Sequence, residues 1–406
     1  MRKNVFLFLL FIFILITPSG INAQDELELV ESTPHETKLE ESNLLRTLDV
    51  WLKMIKEAKT SIDIETFYFS NKAGEPLENI LTELKDAASR GVQVRIIVDS
   101  NFYSNNDKSV DELGEVKNIL IKKIPVGNIS GGVMHAKYFI VDNENLFLGS
   151  QNMDWRALIH IHEIGVRVKN KDLARTFHEL FETDWKLCDG NYYGLANQAV
   201  NYFVNSDTPV TLNSNEYGKI ILYPAFSPPK ININGLSSEE DELMKIISNT
   251  KERLFIQVYS YSPKVKKESI YFKIDSALRS AAEKGVEIKI IFPDWAIRES
   301  SIDFIKDLSL VKNIKIKFIS IPQHSSGFIP YSRVDHSKYF IADKNISWIS
   351  TSNWEWGYFN TSRNATLIID NNKVNDELSK VFDMVWESPY SNFVDVDKKY
   401  EPVKRN

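Results

Sequence analysis

The chain has 406 residues, 43% hydrophobic and 26% charged, a globular composition that excludes a disordered, collagen-like or disulfide-scaffolded protein. Forty-nine Lys and Arg against 55 Asp and Glu give a formal charge of −6, so a phosphate-binding site must be local and not part of a general basic field. A single cysteine, Cys188, excludes an intramolecular disulfide and a thiolate metal cluster.

At the N-terminus, Arg2 and Lys3 precede an apolar run from Val5 to Ile16, and Pro18-Ser19-Gly20 lead to Ala23. A dozen apolar residues are too few to span a bilayer comfortably. Residues 1–23 therefore read as a signal peptide for the secretory path, with an uncleaved N-terminal anchor as the alternative. Residues 24–41 are acidic and polar and read as a solvated leader.

From there the sequence repeats itself once, and the first half, 42–188, sets the pattern. Ser42 is expected to cap a helix carrying Leu45, Leu48, Leu52 and Ile55 at helical spacing, followed by a strand over 61–70. A second helix ends at Gly91 and runs into the apolar strand Val92-Gln93-Val94-Arg95-Ile96-Ile97. Residues 189–237, rich in Asn, Tyr, Pro and Gly, read as a linker. The second half, 238–392, opens with Ser238 capping a helix through Leu243, Ile246 and Ile247, then a strand over 253–261. A helix ending at Gly285 leads into Val286-Glu287-Ile288-Lys289-Ile290-Ile291. Residues 393–406 read as a polar tail. Helix–Gly–strand alternation in both halves predicts an α/β fold of two similar lobes.

Further on, the halves fall into register at an offset of 201, pairing Phe181 with Phe382 and Trp185 with Trp386. Each half carries one octet, His135-Ala-Lys137-Tyr-Phe-Ile-Val-Asp142 and His336-Ser-Lys338-Tyr-Phe-Ile-Ala-Asp343. An apolar middle predicts a strand, and a period of two puts His and Lys on one face. A hydroxyl residue and an Asn follow each octet, Ser150 with Asn152 and Thr351 with Asn353. Packing about a pseudo-twofold axis would bring two imidazoles, two ammonium groups, two amides and two hydroxyls into one cleft.

That set suits phosphoryl chemistry. One histidine must be neutral to attack, and the other protonated to release a poor alkoxide leaving group. Lysines and carboxamides suit charge spread over non-bridging oxygens. Lys137, Ser150, Asn152, Lys338, Thr351 and Asn353 are the candidate phosphate ligands. Glu163, 28 residues after His135, is placed to accept the His135 Nδ1–H, whereas the second half has Asn364 at that position. The asymmetry assigns His135 as nucleophile and His336 as acid.

The doubled octet, with Leu148-Gly-Ser-Gln-Asn-Met-Asp-Trp-Arg156, Ile329-Pro-Tyr-Ser-Arg-Val-Asp-His-Ser-Lys-Tyr339 and Thr351-Ser-Asn-Trp354, resembles the phospholipase D superfamily and its His-x-Lys-x4-Asp signature. It is most similar to the endolysosomal phospholipase D-like branch and its poxvirus relatives. The resemblance implies two α-β-α sandwich lobes with the active site between them. It also implies a phosphodiesterase that works through phosphohistidine without metal or cofactor. His135, Lys137, Asn152, Glu163, His336, Lys338 and Asn353 would line the cleft, with Asp142 and Asp343 belonging to the catalytic motif in a structural capacity. Two departures are Ser350, where glycine is usual, and Asn364, where many members have a second Glu.

Other features have plainer readings. His160 and His162 alternate on one strand face without a third metal ligand nearby. His178 falls on a helix, and His324 in the segment 322–335, a candidate cleft rim. Trp155, Trp354, Trp356, Tyr358 and Phe359 follow the Asn loops as core, base-stacking or lipid-facing groups. Sequons stand at Asn128, Asn345, Asn360 and Asn364, of which Asn364, beside the cleft, is expected to carry no glycan. Two substrates stay open, a phospholipid such as phosphatidylcholine and single-stranded nucleic acid cut from the 5′ end. The resemblance places the mature protein in a secreted or endolysosomal setting, and a homodimer is compatible with it.

Overall fold

The computed structural model describes residues 25–103, 108–190, 203–266 and 269–406. The expected signal peptide and part of the expected linker, 191–202, lie outside the described residues.

Each half builds one mixed sheet with the same strand order. In the first, Ser61–Thr66, Gln93–Asp99 and Ile119–Ile124 run parallel. On the other side Ser61–Thr66 pairs antiparallel with Tyr138–Val141, then Asn145–Gly149, Glu163–Lys169 and Glu26–Ser32 follow. In the second, Arg253–Val258, Glu287–Pro293 and Ile314–Ile319 are parallel. Lys338–Ala342, Ile346–Ser350, Asn364–Asp370 and Gly218–Ser227 continue antiparallel.

Both faces of each sheet are covered by helices, so the central strands are buried on both sides, including Asp63 and Glu65 of Ser61–Thr66 and Gln257 of Arg253–Val258. The helices Thr47–Glu57 and Leu77–Ser89 cover the outer face of the first sheet, and Glu239–Asn249 and Lys273–Glu283 that of the second. Between the sheets lie Lys171–Leu187 and Asn372–Glu387, whose Phe177, Phe181, Leu378 and Phe382 join the inner faces of both sheets in one shared core. That common core makes the lobes a fused pair of α-β-α sandwiches.

The local signals explain where elements stop. Gly91 and Gly285 both have φ +96°, and their N–H groups return to Ala88 and Ala282 as left-handed helix ends. Ser238 caps its helix through the Asp241 N–H. Ser42 does not cap the first helix: it closes a short 3-10 turn, and the helix begins at Thr47 with Leu45 left 47% exposed.

Three segments read as connectors are structural. Glu26–Ser32 is not solvated leader but the penultimate strand of the first sheet, with Leu27, Leu29 and Val30 buried. Its acids are held by cations: Glu26 and Glu28 meet Arg167, and the buried Glu31 meets Arg46 and His162. Within the expected linker, Val210–Ser214 and Gly218–Ser227 form a hairpin on the second sheet. The tail begins after Ser391–Phe393, which pairs with Ile314–Ile319, and it folds back so that the Tyr331 N–H bonds the Arg405 carbonyl.

Candidate active site

The residues just ahead of each octet strand cross between the lobes. Met134 bridges to Arg363 and Asp335 to His162 in matching parallel pairs. The His135 N–H donates to the Arg363 carbonyl at 2.9 Å, and the His336 N–H to the His162 carbonyl at 2.9 Å. Each histidine is thus supplied by one lobe and anchored on the other.

The same exchange governs the imidazoles. His336 Nδ1 lies 3.0 Å from Glu163 Oε2, and His135 Nδ1 lies 3.0 Å from Asn364 Oδ1. Glu163 therefore backs His336 and not His135, reversing the pairing expected from sequence. A shared lobe suggested that pairing, but strand crossing at the interface hands each side chain to the opposite histidine. Asn364 Nδ2 donates to the Tyr358 and Ser362 carbonyls, so its Oδ1 is turned to accept the His135 Nδ1–H. That fixes the His135 tautomer with Nε2 free. Asn364 is fully buried, as the expectation of no glycan there requires.

Lys137 and Lys338 each fold back onto the carbonyl of their own histidine, at 2.7 and 2.6 Å, and both are 2% exposed. Burial pushes Lys137 well below the usual lysine range, reinforced by Lys338. Lys338 comes down to about 7, again through burial, against the pull of Glu163 and Asp335. Burial and then the two ammonium groups push both imidazoles well down. Burial pushes Glu163 well above the carboxylate range, against Lys338, the Ser150 hydroxyl and Lys137. The cleft is a buried, over-cationic pocket whose charges an anion would restore.

The Ser150 and Thr351 hydroxyls are not turned to a phosphate. Ser150 Oγ bonds the Ile164 backbone, and Thr351 Oγ1 bonds Asn364 Oδ1 and the Ala365 N–H. Their backbones instead contact the imidazoles, Thr351 bonding His135 and Ser150 bonding His336. Asn152 and Asn353 are 7% and 1% exposed, each with a carboxamide oxygen lacking a protein partner. Asp142 and Asp343 lie outside the cleft, at the far ends of their strands. Asp142 accepts the Lys59, Thr60 and Ser61 N–H groups, and Asp343 those of Lys251, Glu252 and Arg253. Both adopt positive φ, +54° and +50°, in this turn.

Of the aromatic walls, sequence reasoning singled out Tyr358 but missed Phe67 and Tyr259. Phe67 and Tyr358 approach the His135 ring at 5.2 and 4.8 Å, and Tyr259 approaches His336 at 4.7 Å. Phe67 and Tyr259 are the residues that follow the matching strands Ser61–Thr66 and Arg253–Val258. That repeated position was the available signal. Arg363 was missed as well: fully buried, it forms two 2.7 Å bonds to Asp184.

His160 and His162 do not share a face, because the strand begins only at Glu163. His162 is locked between Glu31 at 2.7 Å and Asp335 at 3.0 Å. His160 packs with His35, His324 and Trp155 beside the 322–335 segment. Among the described residues no group of three or more His, Cys, Asp or Glu is placed to hold a metal ion.

Comparison with known proteins finds a family match over both halves. Residues 51–185 and 243–386 match the family described as cardiolipin synthase, PLD-like domain. The chain is 29% identical to the 5'-3' exonuclease PLD3 of Xenopus laevis, covering 89% of this chain and 80% of that protein. It is 31% identical to the virion nicking-joining enzyme of vaccinia virus, covering 86% and 84%. To phospholipase D Z of Dictyostelium discoideum it is 28% identical, covering 90% of each. In fold alone it resembles phosphatidylserine synthase of Haemophilus influenzae, with TM-score 0.61 and 11% identity over 86% of this chain and 85% of that one.

Proposed function

The chain belongs to the phospholipase D superfamily of hydrolytic phosphodiesterases, and on that premise we propose that it is an exonuclease acting on single-stranded nucleic acid from the 5′ end. The observation that carries the chemistry is the crossed support of the two imidazoles, Asn364 behind His135 and Glu163 behind His336. The substrate class rests on the relatives named as a 5'-3' exonuclease and a nicking-joining enzyme.

The difference in support divides the roles. A carboxylate favours an imidazolium, whereas a neutral carboxamide only fixes a tautomer. Glu163 is placed to stabilise a proton held by His336, and His135 presents a free Nε2. His135 Nε2 attacks phosphorus while His336 passes its proton to the departing oxygen, leaving a P–N bond on His135. His336, now neutral, takes a proton from water, and the resulting hydroxide equivalent displaces His135 to release a phosphomonoester. Lys137 and Lys338, with the Asn152 and Asn353 carboxamides, balance charge on the non-bridging oxygens. His135 thus remains the nucleophile, for a different reason from the one the spacing suggested.

We place the protein in a secreted or endolysosomal lumen, supported by the basic and apolar start of the sequence. Among the described residues no helix is long and apolar enough to cross a membrane.

The test is to incubate the protein, and separately His135→Ala, with end-labelled single-stranded oligonucleotides and with phosphatidylcholine vesicles at about pH 5 and about pH 7. Stepwise nucleotide release from the 5′ end, abolished in His135→Ala and unchanged by chelator, is expected. Choline release without nucleotide release would make it a phospholipase instead.

A further inference from the structure

The aromatic wall beside His135 continues to the surface. Phe67 touches the His135 ring, and Phe102 lies 4.2 Å from Phe67, centroid to centroid, with 37% of its surface exposed. The Lys137 ammonium sits 5.4 Å from the Phe67 ring centre, so the line of rings starts at the phosphate pocket and ends in solvent.

Phe102 is held there by a fully buried carboxylate. Asp99 accepts the Asn101 and Phe102 N–H groups through Oδ1, at 2.8 and 3.1 Å, and the Met134 N–H through Oδ2 at 2.7 Å. Met134 immediately precedes His135. One side chain therefore sets both the loop that carries the outer ring and the segment that carries the attacking imidazole.

The second lobe has a comparable pair, but it is closed. Tyr259 touches His336 and faces Trp295 at 6.3 Å. The Arg405 guanidinium of the chain's own C-terminal segment covers Trp295 at 5.0 Å and bonds its carbonyl. Trp295 is only 8% exposed. Of the two pairs, the one beside His135 is open to a ligand.

We propose that Phe102, backed by Phe67, is a stacking subsite for one nucleobase of the substrate strand next to the phosphate that His135 attacks. This rests on the nucleic-acid reading above. A planar base offers a π-face to the exposed ring whatever its identity, so the subsite recognises nucleotides without reading sequence. Its two rings are rigid and are fixed before substrate arrives, so little ordering is lost on binding.

Phe102 is half-open and its removal leaves the buried core intact, so Phe102→Ala is expected to fold. Wild type, Phe102→Ala and Phe102→Trp are compared on single-stranded oligonucleotides with either natural or abasic residues flanking the cleaved phosphate. Wild type should have a kcat/KM about tenfold higher on natural than on abasic strands, mostly through KM. Phe102→Ala should lose that preference while keeping wild-type turnover on abasic strands, and Phe102→Trp should retain it. Equal wild-type rates on natural and abasic strands, or an equal loss on both in Phe102→Ala, would overturn the subsite and leave the nuclease intact. Failure of wild type to cut any strand while hydrolysing phosphatidylcholine would overturn the nuclease reading and the subsite together.

Discussion

Glu163 reaches out of its own lobe to the histidine of the other, 3.0 Å from His336 Nδ1. The chemistry of the octets, and the presence of a Glu opposite an Asn, were readable because residue types and spacing report them directly. The partner of each was not, since spacing along one chain carries no information about which strand end crosses an interface. The crossing changes what Glu163→Gln should do. Losing the carboxylate makes the His336 imidazolium easier to deprotonate, so the acid is lost at lower pH. The alkaline limb of the kcat–pH profile is expected to shift toward acid, with the acidic limb, set by His135, nearly fixed. An acidic limb that moves while the alkaline one stays would reverse the role assignment.

The strand Glu26–Ser32 shows a signal that composition hid. Its run of acids reads as solvated, yet Glu26-Leu27-Glu28-Leu29 alternates strictly, and each apolar member is buried. Its last acid, Glu31, clamps His162 from one side and Asp335 does so from the other, with all three fully buried. Those bonds overcome the burial penalty and raise His162 to about 10, so an imidazolium is sealed beneath the segment that carries His336. In His162→Gln Asp335 loses its paired cation and Glu31 keeps only Arg46, which costs about 3–5 kcal/mol of stability. A folded-state pKa raised above the unfolded value of about 6.5 means the stabilisation is complete below that pH. It is lost as pH rises through about 10. Chemical denaturation should therefore show a wide gap between wild type and His162→Gln near neutrality that narrows toward pH 10. A gap that widens with pH would mean that the imidazole is neutral in the fold.

Across the whole molecule, the doubled α/β architecture was legible from the register of the two octets and from the helix–Gly–strand joints at Gly91 and Gly285. The hairpin Val210–Ser214 with Gly218–Ser227 was not, because it completes the second sheet from a segment that has turn-rich composition on both sides. Nor did the sequence reveal the shared core of Phe177, Phe181, Leu378 and Phe382, which depends on how the lobes face one another. Since each histidine is oriented by the opposite lobe, neither lobe alone holds a complete site. Residues 24–190 and 203–406 expressed separately should each be inactive and recover activity only when they reassociate. Activity from one lobe at concentrations where it is monomeric would contradict the crossed arrangement. The central claim, that His135 becomes covalently bonded to phosphorus while His336 serves as acid and base, is tested most directly by trapping. His336→Asn is mixed with a 5′-phosphorylated oligonucleotide carrying an activated leaving group, quenched in alkali and mapped by mass spectrometry. A phosphoryl adduct on the peptide containing His135, with none in His135→Asn, is the predicted result; an adduct on His336 in the His135→Asn protein would contradict it.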